Sequence, residues 1–384
     1  MHVVVDGRFL CGLHRSMSLF SANLLRALVE LDLSAAPAVL VPRSLHPSAY
    51  ALREELGERV RWVRPDRDVD DTHRFSGELR WVHREVPALL ARSVPDAEMV
   101  VMPYHQPPLR TPGVHRVVVL HDICGLGAGF PRTKKNYWRH YLRLFAAAHF
   151  ADSIWPISHS TGRDMATRFP SSKPRLGPVV YNGVDRKEAP AARVEECLNA
   201  HGLEPRSYVV AFATWQERKN FTASLDALTL LRRQGRPVRV VGIAPESERD
   251  EIRERCVAEG HEDAVILSGI ADEELDALYA GALALLWPST CEGFGYPVVE
   301  AMAQGCPPLV WSIGPGAELV EGAIEPLTSL DPASIAGRLD SLRMLGCGER
   351  HRLEVALRAR TAAFSPDAYR RQVAQAVASV RDRR

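Results

Sequence analysis

Short runs rich in valine and isoleucine recur along the chain, separated by longer stretches in which apolar residues return every three or four positions. The short runs predict strands near Val3 to Val5, Ala38 to Val41, Val60 to Val63, Glu98 to Met102, Arg116 to Leu120, Ser153 to Ile157 and Val179 to Tyr181. A second series follows near Tyr208 to Ala213, Val238 to Gly242, Ala264 to Leu267, Leu283 to Leu286 and Pro308 to Val310. Strands alternating with helices along the whole length predict parallel sheets covered by helices on both faces. The first helix carries Phe20, Leu24, Ala27, Leu28 and Leu31 on one face, with Ser16 or Ser18 as its cap. A last helix opens at Ser365-Pro366 and sets Tyr369, Val373, Ala376, Val377 and Val380 on one stripe. Between the two series, Asn182-Gly183-Val184-Asp185 and a polar stretch to about Arg206 read as an interdomain linker.

Composition narrows the field. A chain of 384 residues predicts two domains, and a net charge of +1 with 46% hydrophobic residues is ordinary for a globular protein. The even charge balance argues against nucleic acid as a partner, since a dedicated binder carries a basic excess. No apolar stretch approaches the roughly 18 residues of a transmembrane helix, and no export signal is visible, so a cytoplasmic location is expected. The seven cysteines are scattered and never spaced Cys-x-x-Cys, which fits reduced thiols better than a disulfide framework or a zinc site.

The chemistry concentrates in Trp287-Pro-Ser-Thr-Cys-Glu292-Gly-Phe-Gly-Tyr-Pro297-Val-Val-Glu300. An apolar strand ends at Trp287, a glycine-bearing loop follows, and Pro297 suits a first helical turn. Gly293 and Gly295 let backbone approach a ligand, and a helix N-terminus favours an anion there. Glu292 and Glu300 flank that position, and carboxylates suit sugar or ribose hydroxyls better than phosphate. With seven residues between the glutamates, the segment resembles the Glu-x7-Glu signature of the retaining GT-B glycosyltransferases of family 4. The resemblance implies that Glu292 lies near the donor sugar, that Glu300 binds the ribose, and that the amides of Gly293, Phe294 and Gly295 hold the diphosphate. Thr214-Trp-Gln-Glu-Arg218-Lys219-Asn-Phe221 is similar to a family stretch whose basic residues contact the diphosphate, which implies that role for Arg218 and Lys219. Ala213 stands where the family usually has glycine and Glu217 where it often has proline.

Further matches are sparser. His121, at the end of Val117-Val-Val-Leu-His121-Asp122, resembles a family histidine beside the reacting sugar carbon, and so counts as catalytic with Glu292, Arg218 and Lys219. Asp6-Gly-Arg8 and Gly12-Leu-His-Arg15 resemble the family's first loop, which faces the diphosphate and acceptor; Gly12 and Arg15 match, while His14 and Ser16 depart. Gly314 to Val320 resembles a stretch facing the nucleotide. Tyr104-His105 and Ser158-His159-Ser160 match loosely and carry no assigned catalytic role. Asp68-Val-Asp70 spells the metal-holding Asp-x-Asp of the other glycosyltransferase fold, but no apolar strand leads into it and it reads as a solvated loop. The run Lys134 to Phe145 reads as a first-domain helix with its basic side in solvent, in preference to a membrane-lying one.

The resemblance implies a GT-B fold of two Rossmann-like doubly wound α/β domains. Residues 1–186 form the acceptor side and 187–364 the nucleotide-sugar donor side, with an active site in the cleft between them; the helix 365–384 crosses back to the first domain. It implies a retaining hexosyltransferase that needs no metal and no cofactor. Its partners are a nucleotide diphosphate sugar and a natural-product, small-molecule or glycan acceptor. A nucleotide-sugar epimerase or hydrolase, and a nucleotide-sugar-binding partner subunit without turnover, remain as alternatives. A nicotinamide enzyme is disfavoured, because no Gly-x-Gly-x-x-Gly opens the first helix of either half.

Overall fold

The computed structural model describes residues 1–11, 15–43, 45–66, 75–127 and 133–382. The chain divides into two compact units: 1–126, 132–183 and 366–384 form the first, and Val184–Ser365 builds the second.

The first unit holds a six-stranded sheet of β1 (Val3–Asp6), β2 (Ala38–Leu40), β3 (Arg61–Val63), β4 (Met99–Met102), β5 (His115–Leu120) and β6 (Ser153–Pro156), in the order β3-β2-β1-β4-β5-β6. All pairings are parallel, with Val5 opposite Val39 and Val118 opposite Ile154. Buried on both faces, β4 is an apolar run throughout and β1 is one up to its last residue, Asp6; neither alternates. Helix Pro366–Arg381 belongs to this unit: Tyr369 meets Phe20 of helix Arg15–Leu28 edge to face at 6.2 Å, and Gln372 accepts a hydrogen bond from the Tyr181 amide at 2.8 Å.

The second unit holds β7 (Tyr208–Phe212), β8 (Arg239–Ile243), β9 (Val265–Leu267), β10 (Ala284–Trp287) and β11 (Pro308–Val310), again all parallel, in the order β11-β10-β7-β8-β9. Helices Phe221–Arg233 and Pro332–Arg343 bury Leu228, Leu231, Ile335 and Leu339 in one core with Val209, Val240 and Leu286. The strand order reverses between β7 and β10. In open parallel sheets the crevice beyond the carboxyl ends at such a reversal is where ligands bind.

Four expectations are corrected. Val179 to Tyr181 is not a strand: Gly177 and Val180 donate to Ile154 and Pro156 of β6, three positions apart against acceptors two apart, so the segment leaves the alternate-residue register of a parallel ladder. Ser16 and Ser18 lie inside the first helix rather than capping it, and the Ser18 hydroxyl bonds the Phe9 carbonyl. The supposed linker contains helix Ala191–Ala200, which buries Cys197 and Leu198 in the second unit. Cys197, Cys256, Cys306 and Cys347 are free, whereas Cys124 and Cys291 are disulfide-bonded, against the reading of thiols throughout.

Candidate active site

Two loops leave the carboxyl ends of β7 and β10. The β7 loop is pinned at its start, where a Glu248 carboxylate oxygen accepts from the Thr214 hydroxyl at 2.7 Å and the Trp215 amide at 3.2 Å. Ala213 is fully buried, and room for its methyl comes from Gly242, where an added Cβ would lie 3.1 Å from it. The chain then turns through Glu217–Lys219 and enters helix Phe221–Arg233 at Asn220, whose φ of 52° is a left-handed conformation that asparagine tolerates.

The β10 loop runs alongside. The Thr290 amide donates to the Arg218 carbonyl at 2.7 Å, and the Arg218 guanidinium donates back to the Cys291 carbonyl at 3.3 Å. The loop ends at Gly295, which caps helix Tyr296–Ala303 with a φ of 115°, a backbone that a side chain would strain. Pro297 occupies the first turn of that helix.

One carboxylate oxygen ties the two loops together. Glu292 Oε1 lies 2.7 Å from Lys219 Nζ, 3.0 Å from Arg218 Nη1 and 2.6 Å from the Ser289 hydroxyl. The three charged side chains are each about one fifth exposed or less, so their mutual field is only partly screened. Burial lowers the Lys219 pKa, Glu292 raises it, Arg218 lowers it again, and the result lies below the usual lysine value. Lys219 Nζ also stands 4.1 Å over the Trp287 ring, a cation–π contact that fixes the ammonium against the end of β10.

Glu300 does not join this cluster. Its Oε1 accepts from Arg186 at 2.9 Å, and the same guanidinium reaches Asp276 at 3.2 Å and Asp272 at 3.3 Å. Burial alone would lower the Arg186 pKa, but Glu300 and the two aspartates raise it well above the ordinary value. Asp276 is pushed up to about 6, chiefly by burial, with Arg186 opposing. Arg218, Lys219, Glu292, Gly293, Phe294, Gly295 and Glu300 thus all stand on two adjacent loops and one helix. The two glutamates, however, keep separate partners instead of flanking one position. Phe294 is buried, its ring edge-on to Tyr296 and Phe364, so its side chain packs.

His121 is in the first unit, just past β5. Its Nε2 donates to the Pro103 carbonyl at 2.9 Å, and burial pushes its pKa down to about 4, so the imidazole is neutral at pH 7. In the same unit a buried ionic chain starts at the carboxyl end of β1 and runs to helices Phe75–Arg80 and Lys134–Phe150. Arg8 Nε lies 3.1 Å from Asp6 and Arg8 Nη1 lies 3.6 Å from Glu78, whose other oxygen meets Arg143. Ser158 caps helix His159–Arg168 by accepting from the Thr161 amide at 3.0 Å. Gly314 precedes helix Pro315–Val320 after β11. Gly12, Asp68 and Asp70 lie outside the described residues.

Arg186, Asp276, Glu248 and Ser289 escaped sequence reasoning. Ser289 was within the motif and could have been found, because a hydroxyl three residues before a loop carboxylate is within bonding reach. The other three meet their partners only through the fold.

Comparison with known proteins bears on this site. Residues 195–342 match the family described as Glycosyl transferases group 1 and so carry the signature of that family. The chain is 33% identical over 236 residues to an MMP alpha-(1->4)-mannosyltransferase of Mycolicibacterium hassiacum, a match that covers 58% of this chain and 54% of that protein. It is 33% identical over 120 residues to the O-antigen chain mannosyltransferase B of Escherichia coli, covering 29% of this chain and 31% of the relative. The chain therefore spans about half the length, or less, of these curated relatives. Among solved structures, Anabaena HepE in complex with UDP-glucose superposes with a TM-score of 0.70 at 16% identity over 98% of this chain and 99% of that one. The sucrose-phosphate synthase of Thermosynechococcus elongatus does so with a TM-score of 0.73 at 14% identity over the whole of both. At such identities the likeness establishes the fold, which is GT-B.

Proposed function

We propose that this group 1 glycosyltransferase moves a hexose, with retention and without a metal ion, from a nucleotide diphosphate sugar to a small-molecule or glycan acceptor. The observation that carries the proposal is the pairing of Glu292 with Arg218 and Lys219 at the carboxyl ends of β7 and β10, beside the N-terminus of helix Tyr296–Ala303. Two fixed cations and a helix N-terminus oppose the charge that grows on a departing diphosphate, the task a metal performs elsewhere. Glu300, oriented by Arg186, takes the ribose hydroxyls, and Glu292 faces the transferring sugar. His121, a neutral imidazole, offers a hydrogen bond to a sugar hydroxyl rather than a charge. The leaving phosphate oxygen accepts the acceptor's proton, so the reaction uses no dedicated side-chain base.

The two relatives described above are named as mannosyltransferases, which makes a mannosyl nucleotide the first donor to test. The test is a thermal shift screen of GDP-mannose, UDP-glucose and other sugar nucleotides, followed by product analysis. A ligand at about 100 times its dissociation constant adds about 2.7 kcal/mol, enough to see as a shift in Tm. The anomeric configuration of the product, read by proton NMR, tests retention. Stabilisation with turnover in the absence of any acceptor would instead indicate an epimerase or hydrolase. Stabilisation without turnover under any condition would indicate a binding subunit.

A further inference from the structure

Helix Lys134–Phe150 of the first unit turns one face inward, burying His140, Leu144, Ala147 and Ala148. The opposite face is also apolar. Trp138 and Leu142 are each 57% exposed, and Phe145 and Phe150 are 38% and 40% exposed. Tyr137, Tyr141, Phe145 and His149 stack along the helix at four-residue spacing, with Tyr141 to Phe145 at 6.4 Å and Phe145 to His149 at 4.0 Å. The sequence reading placed a basic side in solvent; the structure places a tryptophan, a leucine and two phenylalanines there, between the cations. A solvated helix has no reason to expose such a row, which runs for about 18 Å at 1.5 Å per residue.

The charge carried by the helix has one sign, although Arg143 is paired with Glu78 of helix Phe75–Arg80. The helix carries Lys134, Lys135, Arg139 and Arg143 and no acidic residue. The turn Pro170–Arg175, bonded to it through Ser171 and His149 at 3.1 Å, adds Lys173 and Arg175 and again no acid. Residues 133–175 hold eight Lys and Arg against two Asp, in a chain whose net charge is +1. One of those aspartates, Asp152, is spent on Arg116 at 2.9 Å.

We propose that this face docks on an anionic lipid bilayer, with Trp138, Leu142 and Phe145 entering the headgroup boundary and Lys134, Lys135, Lys173 and Arg175 meeting lipid phosphates. Apolar residues ringed by cations, with tyrosine and tryptophan among them, match a surface that is greasy beneath and negative above. A protein partner would have to supply the same chemistry, a broad apolar area under an acidic rim.

The 384-residue chain is sedimented with phosphatidylcholine vesicles, with and without phosphatidylglycerol. Binding is expected only with the anionic lipid and should fade as salt is raised. Lys134→Ala and Lys135→Ala should each lower the partition coefficient about five-fold, and about thirty-fold together. Leu142→Glu should abolish binding while leaving the melting curve unchanged, because its side chain is mostly exposed and contributes little to the core. Quenching of tryptophan emission by brominated lipid should be lost in Trp138→Phe. No binding, equal binding to neutral and anionic vesicles, or a dimer that Leu142→Glu converts to monomer would each overturn the proposal. All of these readouts are independent of turnover, so failure here leaves the glycosyltransferase reading untouched.

Discussion

Replacing Lys219 by Met removes one charge and keeps most of the side-chain volume. At 2.7 Å from Glu292, with an effective dielectric of about 20, the gross attraction is roughly 6 kcal/mol, most of it offset by taking both groups out of water. The folded state loses little of that, since Glu292 keeps Arg218 at 3.0 Å and Ser289 at 2.6 Å, and a stability loss of about 1 kcal/mol is expected. Catalysis has no such reserve. A preorganised donor aimed at growing transition-state charge is worth about 3 to 4 kcal/mol, so kcat should fall about 100- to 1000-fold while the donor KM changes far less. Lys219→Arg, which restores charge with different geometry, should recover part of the loss. Urea unfolding measures the first quantity, and single-turnover kinetics with the donor found in the thermal screen measure the second. A folded Lys219→Met protein with kcat within about three-fold of wild type, or with the whole defect in KM, would refute the role.

The other predictions use the same assays. Glu300→Ala should chiefly raise the donor KM, and Arg186 would retain Asp276 and Asp272, so the protein should still fold; Glu292→Gln should chiefly lower kcat, and a reversal of these phenotypes would exchange the two roles. EDTA should leave activity intact; loss restored by magnesium or manganese would turn attention to Asp68 and Asp70. Asp276, raised to about 6 from 3.8, favours folding while protonated, so its contribution is full below about pH 4 and is lost as pH rises through 6, by roughly 3 kcal/mol. In urea titrations between pH 4 and 6 that slope should vanish in Asp276→Asn, and identical slopes would disprove it. His121, lowered to about 4 from 6.5, favours folding while neutral, so its contribution is full above pH 6.5 and is lost as pH falls through 4. His121→Gln should flatten stability over that range, and the kcat profile should show no limb near 6.5 from this residue.

What could be read from the sequence was local. β7 and β10 are buried on both faces, so their apolar runs stood out, and the loop after β10 announced itself because glycine, proline and the glutamates serve one short turn and one helix start. The run from Val179 misled for the same reason in reverse: its valines favour a strand, but its bonds to β6 fall three residues apart where the acceptors are two apart, so no ladder forms. Arg186 could not have been found this way. It stands 114 positions from Glu300 and 90 from Asp276, in a segment with linker composition, and only the folded second unit brings the three together. Glu248 pins the β7 loop from 34 positions beyond Thr214, and its own neighbourhood reads as an exposed helix start.

The seven residues between Glu292 and Glu300 place the two carboxylates on different kinds of backbone, and the charge around each follows from that. Glu292 is in a loop that runs beside the β7 turn, so the cations of that turn close on it, and Arg218 with Lys219 outweigh it by one positive charge. After Gly295 the backbone redirects into helix Tyr296–Ala303, and Glu300 meets a guanidinium already shared with Asp276 and Asp272, where three carboxylates outweigh one arginine. A diphosphate placed against the second group would face net negative charge, and ribose hydroxyls placed against the first would leave a cation without an anion to neutralise. The electrostatics therefore favour one orientation for a nucleotide sugar on this unit: phosphates toward Arg218 and Lys219, ribose toward Glu300. Reversing charge at one group alone, as in Lys219→Glu, should abolish donor binding, whereas Asp272→Asn at the other should leave the donor Kd within about three-fold, because Arg186 and Glu300 remain paired. Calorimetric titration of the donor into both variants decides it, and tight binding to Lys219→Glu would sink the assigned orientation.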